Sequence, residues 1–189
     1  MVARGLRHRL YSNMKTCMDC ESIKTREDLP ALLNGLDCSG AGAEVGVRRG
    51  SYSEFLLDNC RIETLFSIDR WTFDPTRTSK DNEDYVITVS RLLRFGTRSV
   101  HLRMESSRAA ELFPAAYFDF IYIDADHRRD SVFADLSAWY PKMRPGGVFS
   151  GHDYGNIPDV KNAVDDFMSA RKKTVYITKE DQPSWFVLT

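Results

Sequence analysis

Short, dense apolar runs alternate along this chain with longer stretches in which apolar residues recur every third or fourth position. The pattern predicts strands and helices taken in turn. Residues 1–24 carry no sustained period and read as an N-terminal extension or a short helix. Thr25 is then placed to cap a helix with Leu29, Leu32, Leu33 and Leu36 inward, closed near Gly35 and Asp37. Residues 42–46 read as the first strand. Beyond a loop ending near Gly50, Ser51 or Ser53 caps a helix that turns Phe55, Leu56 and Cys60 inward. Residues 64–69 form a second strand, and 70–82 a polar loop holding two aromatics, Trp71 and Phe73. Tyr85, Val89, Leu92 and Leu93 mark an amphipathic helix stopped by Gly96.

Residues 100–104 alternate as a strand, 106–113 form a short helix, and 118–124 are the clearest buried strand in the chain. Val132, Phe133, Leu136 and Trp139 mark the next helix, closed by Pro141 and a turn at Pro145-Gly146-Gly147. A strand over 148–150 runs into Gly151-His152-Asp153-Tyr154, and Val160, Val164, Phe167 and Met168 carry the last helix. Strands over 174–178 and 184–188 finish the chain, joined by the polar turn 179–183. Regular strand–helix alternation implies an α/β protein, a doubly wound and mostly parallel sheet with helices on both faces. The final pair must be an antiparallel hairpin, because a parallel crossover needs about a dozen residues.

The 189 residues suit one α/β domain, expected over 25–189. Lys and Arg number 26 against 27 Asp and Glu, a net charge of −1, so no global field draws the chain to nucleic acid or an anionic membrane. Arg4, Arg7, His8 and Arg9 read as a solvated tail. No run approaches the ~20 apolar residues of a spanning helix, and no secretory segment stands at the start, so a cytoplasmic location is expected. Cys17 and Cys20 form a C-x-x-C without a second ligand pair for zinc. With Cys38 and Cys60 they read as reduced thiols.

In open α/β sheets ligands bind beyond the carboxyl ends of the strands. The first strand ends in Glu44-Val45-Gly46-Val47-Arg48-Arg49-Gly50, where Gly46 lets backbone approach a ligand and Gly50 allows a turn into the helix. This is not the G-x-G-x-x-G that cradles a pyrophosphate, which argues against a nicotinamide or flavin enzyme. Asp69 closes the second strand, where an acidic side chain can accept hydrogen bonds from both hydroxyls of a ribose. Trp71 either covers an adenine or plugs its own loop. Ser106 and Ser107 either contact adenine or cap the helix they precede.

Residues 43–53, 67–71, 118–127 and 145–154 together resemble the successive motifs of class I S-adenosylmethionine-dependent methyltransferases, whose Rossmann-like sheet ends in an antiparallel hairpin. Asp119 to His127 and Gly146 to Tyr154 resemble one branch, small stand-alone enzymes similar to the metal-dependent catechol and caffeoyl-CoA O-methyltransferases and the macrolide-sugar O-methyltransferases. The resemblance implies an S-adenosylmethionine cofactor, with Glu44 near its methionine part, Gly46 and Gly50 beside it, and Asp69 on the ribose. It departs from the family at Glu105, where many relatives carry glycine.

Asp124 ends the fourth strand and His152-Asp153 the fifth, so three potential ligands for a divalent metal, Mg, Mn or another, converge at one edge of the cofactor site. The related metal-dependent enzymes carry an aspartate and then an Asp-Asn or Glu-Asp pair there. His152 replaces the first acid of that pair, and histidine suits manganese, iron or zinc better than magnesium. His127 stands where those relatives carry a lysine general base, and an imidazole can take a proton near neutral pH.

The expected activity is therefore O-methylation of a small hydroxylated acceptor such as a sugar or phenol, with His127 and His152 in catalytic roles. N-methylation or nucleic-acid methylation on the same fold is the alternative enzymatic reading. It lacks the Asn/Asp-Pro-Pro-aromatic motif common among amino-methylating enzymes. A non-catalytic cofactor-binding module is the third reading. The acceptor pocket is expected from residues 1–24, 70–84 and 154–160, with a homodimer partner available to close it.

Overall fold

Period-two alternation along the strands sends apolar side chains to both faces of one sheet, and helices cover both. The computed structural model describes residues 20–71 and 80–189. Cys17, the cationic residues among the first nine, Phe73 and the rest of 72–79 lie outside the described residues. The strands are β1 (Ala41–Val45), β2 (Thr64–Asp69), β3 (Ser99–Arg103), β4 (Phe118–Ile123), β5 (Met143–Gly151), β6 (Tyr176–Ile177) and β7 (Trp185–Leu188). The helices are α1 (Leu29–Gly35), α2 (Ser51–Asn59), α3 (Lys80–Leu92), α4 (Ser106–Glu111), α5 (Arg129–Trp139) and α6 (Pro158–Ser169), joined by short 3₁₀ turns.

Among the described residues the sheet order is β3-β2-β1-β4-β5-β7-β6. Strands β1 to β5 are parallel, and β7 lies antiparallel between β5 and β6. This is the Rossmann-like, doubly wound, mostly parallel sheet with its antiparallel hairpin. Ala43, Val45, Ile68, Ile121, Ile123 and Phe149 cluster with Ala109, Leu136, Trp139 and Phe167 of α4 to α6. Leu65, Phe120, Tyr122 and Val148 cluster on the other side with Leu29, Leu32 and Leu33 of α1 and Leu56 of α2.

Several local expectations are corrected. Leu93 is 75 % exposed; the buried residues of α3 and its end are Asp84, Thr88 and Leu92, so polar groups hold part of the face that apolar periodicity claimed. Phe133 is also exposed at 41 %, edge-on to Phe167. Gly50, in the left-handed region at φ 71°, occupies the N-cap position of α2 in place of either serine. Pro145-Gly146-Gly147 does not precede β5 but lies inside it, where the pairing with β4 shifts register. No helix among the described residues is long and apolar enough to cross a membrane.

Candidate active site

Backbone pairing runs past the strands and holds their carboxyl ends level. Gly46 N–H donates to Ile68 at 2.8 Å, Asp124 N–H to Val45 at 2.7 Å, His152 N–H to Ile123 at 3.0 Å, and Met104 N–H to Asp69 at 2.9 Å. A cleft of about 1310 Å³ lies over this edge, above the usual size of a pocket for one small molecule. Of the residues singled out in the sequence, Glu44, Gly46, Asp69, Ser107, Asp124, His127 and His152 line it. Gly50 and Trp71 are not among its lining residues.

The β1–α2 loop is shaped by its neighbours. A Cβ on Gly46 would stand 1.9 Å from the Asp124 carbonyl oxygen, and its φ is +92°, so only glycine lets β1 and β4 end side by side. Asp69 accepts the Val47 and Arg48 N–H groups on Oδ2, each at 2.9 Å, and the Trp71 N–H on Oδ1 at 3.0 Å. The Trp71 indole is 3 % exposed and donates to the Arg48 carbonyl at 2.7 Å, while its ring packs on Tyr85. Of the two readings of Trp71, its position matches the plug.

Glu44 sits at the floor of the cleft, 2 % exposed, accepting the Ser53 hydroxyl, which lies 2.8 Å from that of Ser67. Burial pushes its carboxyl up to about 8, with the Ser53 hydrogen bond opposing. Free protein at neutral pH therefore holds Glu44 largely protonated.

At the ends of β4 and β5, ligand atoms of Asp124, His152 and Asp153 all lie within 4.8 Å of one another. Asp153 adopts φ 58°, a left-handed conformation that aspartate tolerates better than most residues. His152 Nδ1 is 3.3 Å from Asp153 Oδ1 and 3.9 Å from Asp124 Oδ2. His127 Nε2 is 3.1 Å from Asp153 Oδ2 and 3.8 Å from Asp124 Oδ1. The carboxylates of Asp124 and Asp153 raise the His127 pKa against the opposing effect of burial.

Arg26, Gln182 and Asp135 also line the cleft, outside the motifs that the sequence singles out. Arg26 is half-buried beside the cleft, with its guanidinium over the Tyr52 ring at 4.9 Å. Burial opposes its charged form, and Tyr122, Tyr52 and Asp124 together outweigh that and raise its pKa. Nothing in the local pattern marks it. Gln182 comes from the β6–β7 turn. Asp135 of α5 is 7 % exposed, and its signal was present, since it falls among the inward Val132, Leu136 and Trp139. Of the expected acceptor segments, Arg70 and Asp159 do reach the cleft.

A family model described as "Methyltransferase domain" matches residues 43–154. No curated protein matches the sequence. Among solved structures, the O-methyltransferase NovP is similar at 16% identity and a TM-score of 0.64, over 86% of this chain and 76% of that one. The O-methyltransferase TomG from Streptomyces achromogenes, solved with S-adenosylmethionine, gives 17% and 0.60, over 87% and 79%. The O-methyltransferase from Bacillus cereus, solved with S-adenosylhomocysteine, gives 16% and 0.59, over 97% and 90%. At these identities the structures speak for the fold.

Proposed function

Because the chain belongs to the methyltransferase-domain family, we propose that it carries the methyl group of S-adenosylmethionine to a hydroxyl oxygen of a small acceptor, assisted by a divalent cation. The observation that supports this reading is the meeting of Asp124, His127, His152 and Asp153 at two neighbouring strand ends on the edge of one cleft. The cleft suits the cofactor. Glu44 would meet its ammonium, Arg26 would offer a cation to its carboxylate, and Asp69, with three backbone N–H groups already on it, keeps an acceptor lone pair on Oδ1 for a ribose hydroxyl.

Two carboxylates and an imidazole form a donor set for a divalent ion, and the imidazole favours manganese, iron or zinc over magnesium. A divalent cation held by Asp124, His152 and Asp153 would supply Lewis acidity toward an acceptor hydroxyl. His127 Nε2 takes the hydroxyl proton, and Asp124 and Asp153 stabilise the imidazolium that forms. The acceptor oxygen then bonds to the methyl carbon as the carbon–sulfur bond breaks, its electron pair leaving on the now neutral thioether. The sulfonium is already activated, so alignment and deprotonation are the protein's share of the work.

Calorimetry with S-adenosylhomocysteine, followed by turnover with a panel of phenols and sugars in Mg²⁺, Mn²⁺ or EDTA, tests each part. Binding of the cofactor product and Mn²⁺-dependent methylation of a hydroxyl are expected. No binding would remove the cofactor reading, and full turnover in EDTA would remove the cation.

A further inference from the structure

The turn between β6 and β7 ties two walls of the cleft together. It puts Gln182 on the cleft lining, and two residues earlier Glu180 reaches the segment that carries Arg26. The Arg26 N–H donates to Glu180 Oε1 at 2.9 Å, a contact between residues 154 positions apart. Beside it the Lys179 N–H donates to the Lys24 carbonyl at 2.6 Å. The carboxylate is itself held, because the Thr178 hydroxyl lies 2.9 Å from the same oxygen, nearer than its other acceptor, the Ser184 carbonyl at 3.2 Å. On its far side the turn is anchored to the end of β5, where the Tyr154 N–H donates to the Pro183 carbonyl at 3.0 Å.

Arg26 is thereby fixed on both sides of its Cα. Its N–H is on Glu180, and its carbonyl accepts the Tyr52 hydroxyl at 3.0 Å. Its guanidinium lies over the Tyr52 ring at 4.9 Å and makes no ion pair among the described residues, so its charge is left for a ligand. A long, rotatable side chain binds an anion weakly when binding must also order it. A pinned backbone and a stacked guanidinium do that ordering before the ligand arrives. Glu180 itself is not among the lining residues, so whatever it does for a ligand passes through Arg26.

We propose that Glu180 is a positioning residue, which pins the Arg26 backbone from the closing hairpin so that the guanidinium stands ready for the carboxylate of the bound cofactor. The inference rests on the cofactor reading above. Glu180 works through an accepting oxygen and not through its charge, since its contact is with a backbone N–H that an amide oxygen could equally accept.

The test is calorimetry on the full chain with two probes, S-adenosylhomocysteine and its decarboxylated analogue, which keeps the ammonium and lacks the carboxylate. The wild type should prefer the carboxylated compound by about tenfold or more, the scale of a hydrogen bond to a charged group. Glu180→Ala should shrink that preference by about two- to tenfold, the range for ordering one long side chain on binding. Glu180→Gln should keep the wild-type preference. Arg26→Ala should abolish it, and adding Glu180→Ala to that variant should change the ratio no further. Reading the ratio separates positioning from folding. If Glu180→Ala weakens both probes equally, or neither, the turn is scaffolding and the proposal falls. A Glu180→Gln variant as impaired as Glu180→Ala would also overturn it, by making the charge the active feature. If the wild type binds both probes equally, the proposal falls while the rest of the cofactor reading stands. If it binds neither, the cofactor reading itself has failed.

Discussion

The His127 imidazole, on the loop after β4, stands 3.1 Å from the Asp153 carboxylate at the end of β5, so two strand ends share one proton-carrying contact. His127 keeps 43 % of its side chain exposed while Asp153 keeps 10 %, an arrangement in which the ring meets solvent and the carboxylate stays fixed behind it.

That contact predicts a clean separation of binding from chemistry. His127→Ala should lower the rate of methyl transfer by about 10²–10⁴-fold, the usual worth of a general base. Affinity for S-adenosylhomocysteine should change little. Single-turnover kinetics on whichever phenol or sugar supports reaction, set beside calorimetry, checks both halves. An unchanged rate would remove His127 as the base.

Glu44 predicts proton release and a pH-dependent stability. Its carboxyl, raised to about 8, is mostly neutral in the free protein at pH 7, and a ligand ammonium beside it favours the ionised form. Binding of S-adenosylhomocysteine at pH 7 should therefore release close to one proton, read as a buffer-dependent calorimetric heat that Glu44→Gln abolishes. The folded state holds this proton more tightly than the unfolded state. Its contribution to stability is accordingly full below about 4.5 and is lost as pH rises toward 8. Relative to Glu44→Gln, the wild type should lose stability across that window in denaturant titrations.

The mostly parallel sheet and the closing hairpin were legible because they follow from local facts: regular strand–helix alternation and a turn too short for a crossover. Glu44, Gly46, Asp69, Asp124, His127 and His152 were legible as cleft residues for a related reason, since a residue just past a parallel strand has few other places to go. Trp71 was not, because an aromatic in a loop serves equally as lid or plug, and only the indole bond to Arg48 decides where it sits. Leu93 and Phe133 misled since period alone cannot tell that Thr88 and Asp84 fill the inner face of α3, or that α5 leaves one aromatic at its rim. Arg26 gains its position from a 3₁₀ turn far from the strand ends in sequence, a relationship that no local pattern encodes.

Two glycines predict opposite outcomes. Gly46→Ala would drive a methyl against the Asp124 backbone at a left-handed φ of +92°. Neither backbone can yield without breaking the pairing of β1 with β4, so a loss of about 3 kcal/mol or more is expected, together with loss of cofactor-product binding. Gly96 also has a positive φ, +55°, but a Cβ there meets nothing within 4 Å. Gly96→Ala should cost only the local strain of a glycine-favouring backbone (φ 55°, ψ −128°), about 1–3 kcal/mol, and leave binding unaltered. Thermal melts and calorimetry on both variants test the contrast.

The carbonyl of Arg48 predicts a coupling between helix α3 and the cofactor side of the cleft. Arg48 adopts φ 55°, unusual for a residue with a side chain. Its oxygen accepts the Trp71 indole N–H at 2.7 Å and lies 2.9 Å from the Thr88 hydroxyl, which shares its one proton between this carbonyl and that of Asp84 at 2.8 Å. On its other side the Arg48 N–H is held by Asp69. The two donors therefore fix the peptide whose N–H neighbours orient the carboxylate expected to hold the ribose. Trp71→Phe keeps the ring against Tyr85 and removes one donor, and Thr88→Val removes the other. Each alone should cost about 1 kcal/mol of stability, since the remaining donor still satisfies the oxygen. The double variant strands a polar group and should lose more than the sum, a non-additivity on the order of 1 kcal/mol in a double-mutant cycle. Affinity for S-adenosylhomocysteine should fall most in the double variant as Asp69 loses its fixed partners. Strict additivity in both stability and affinity would show that α3 only covers the loop and does not set its shape.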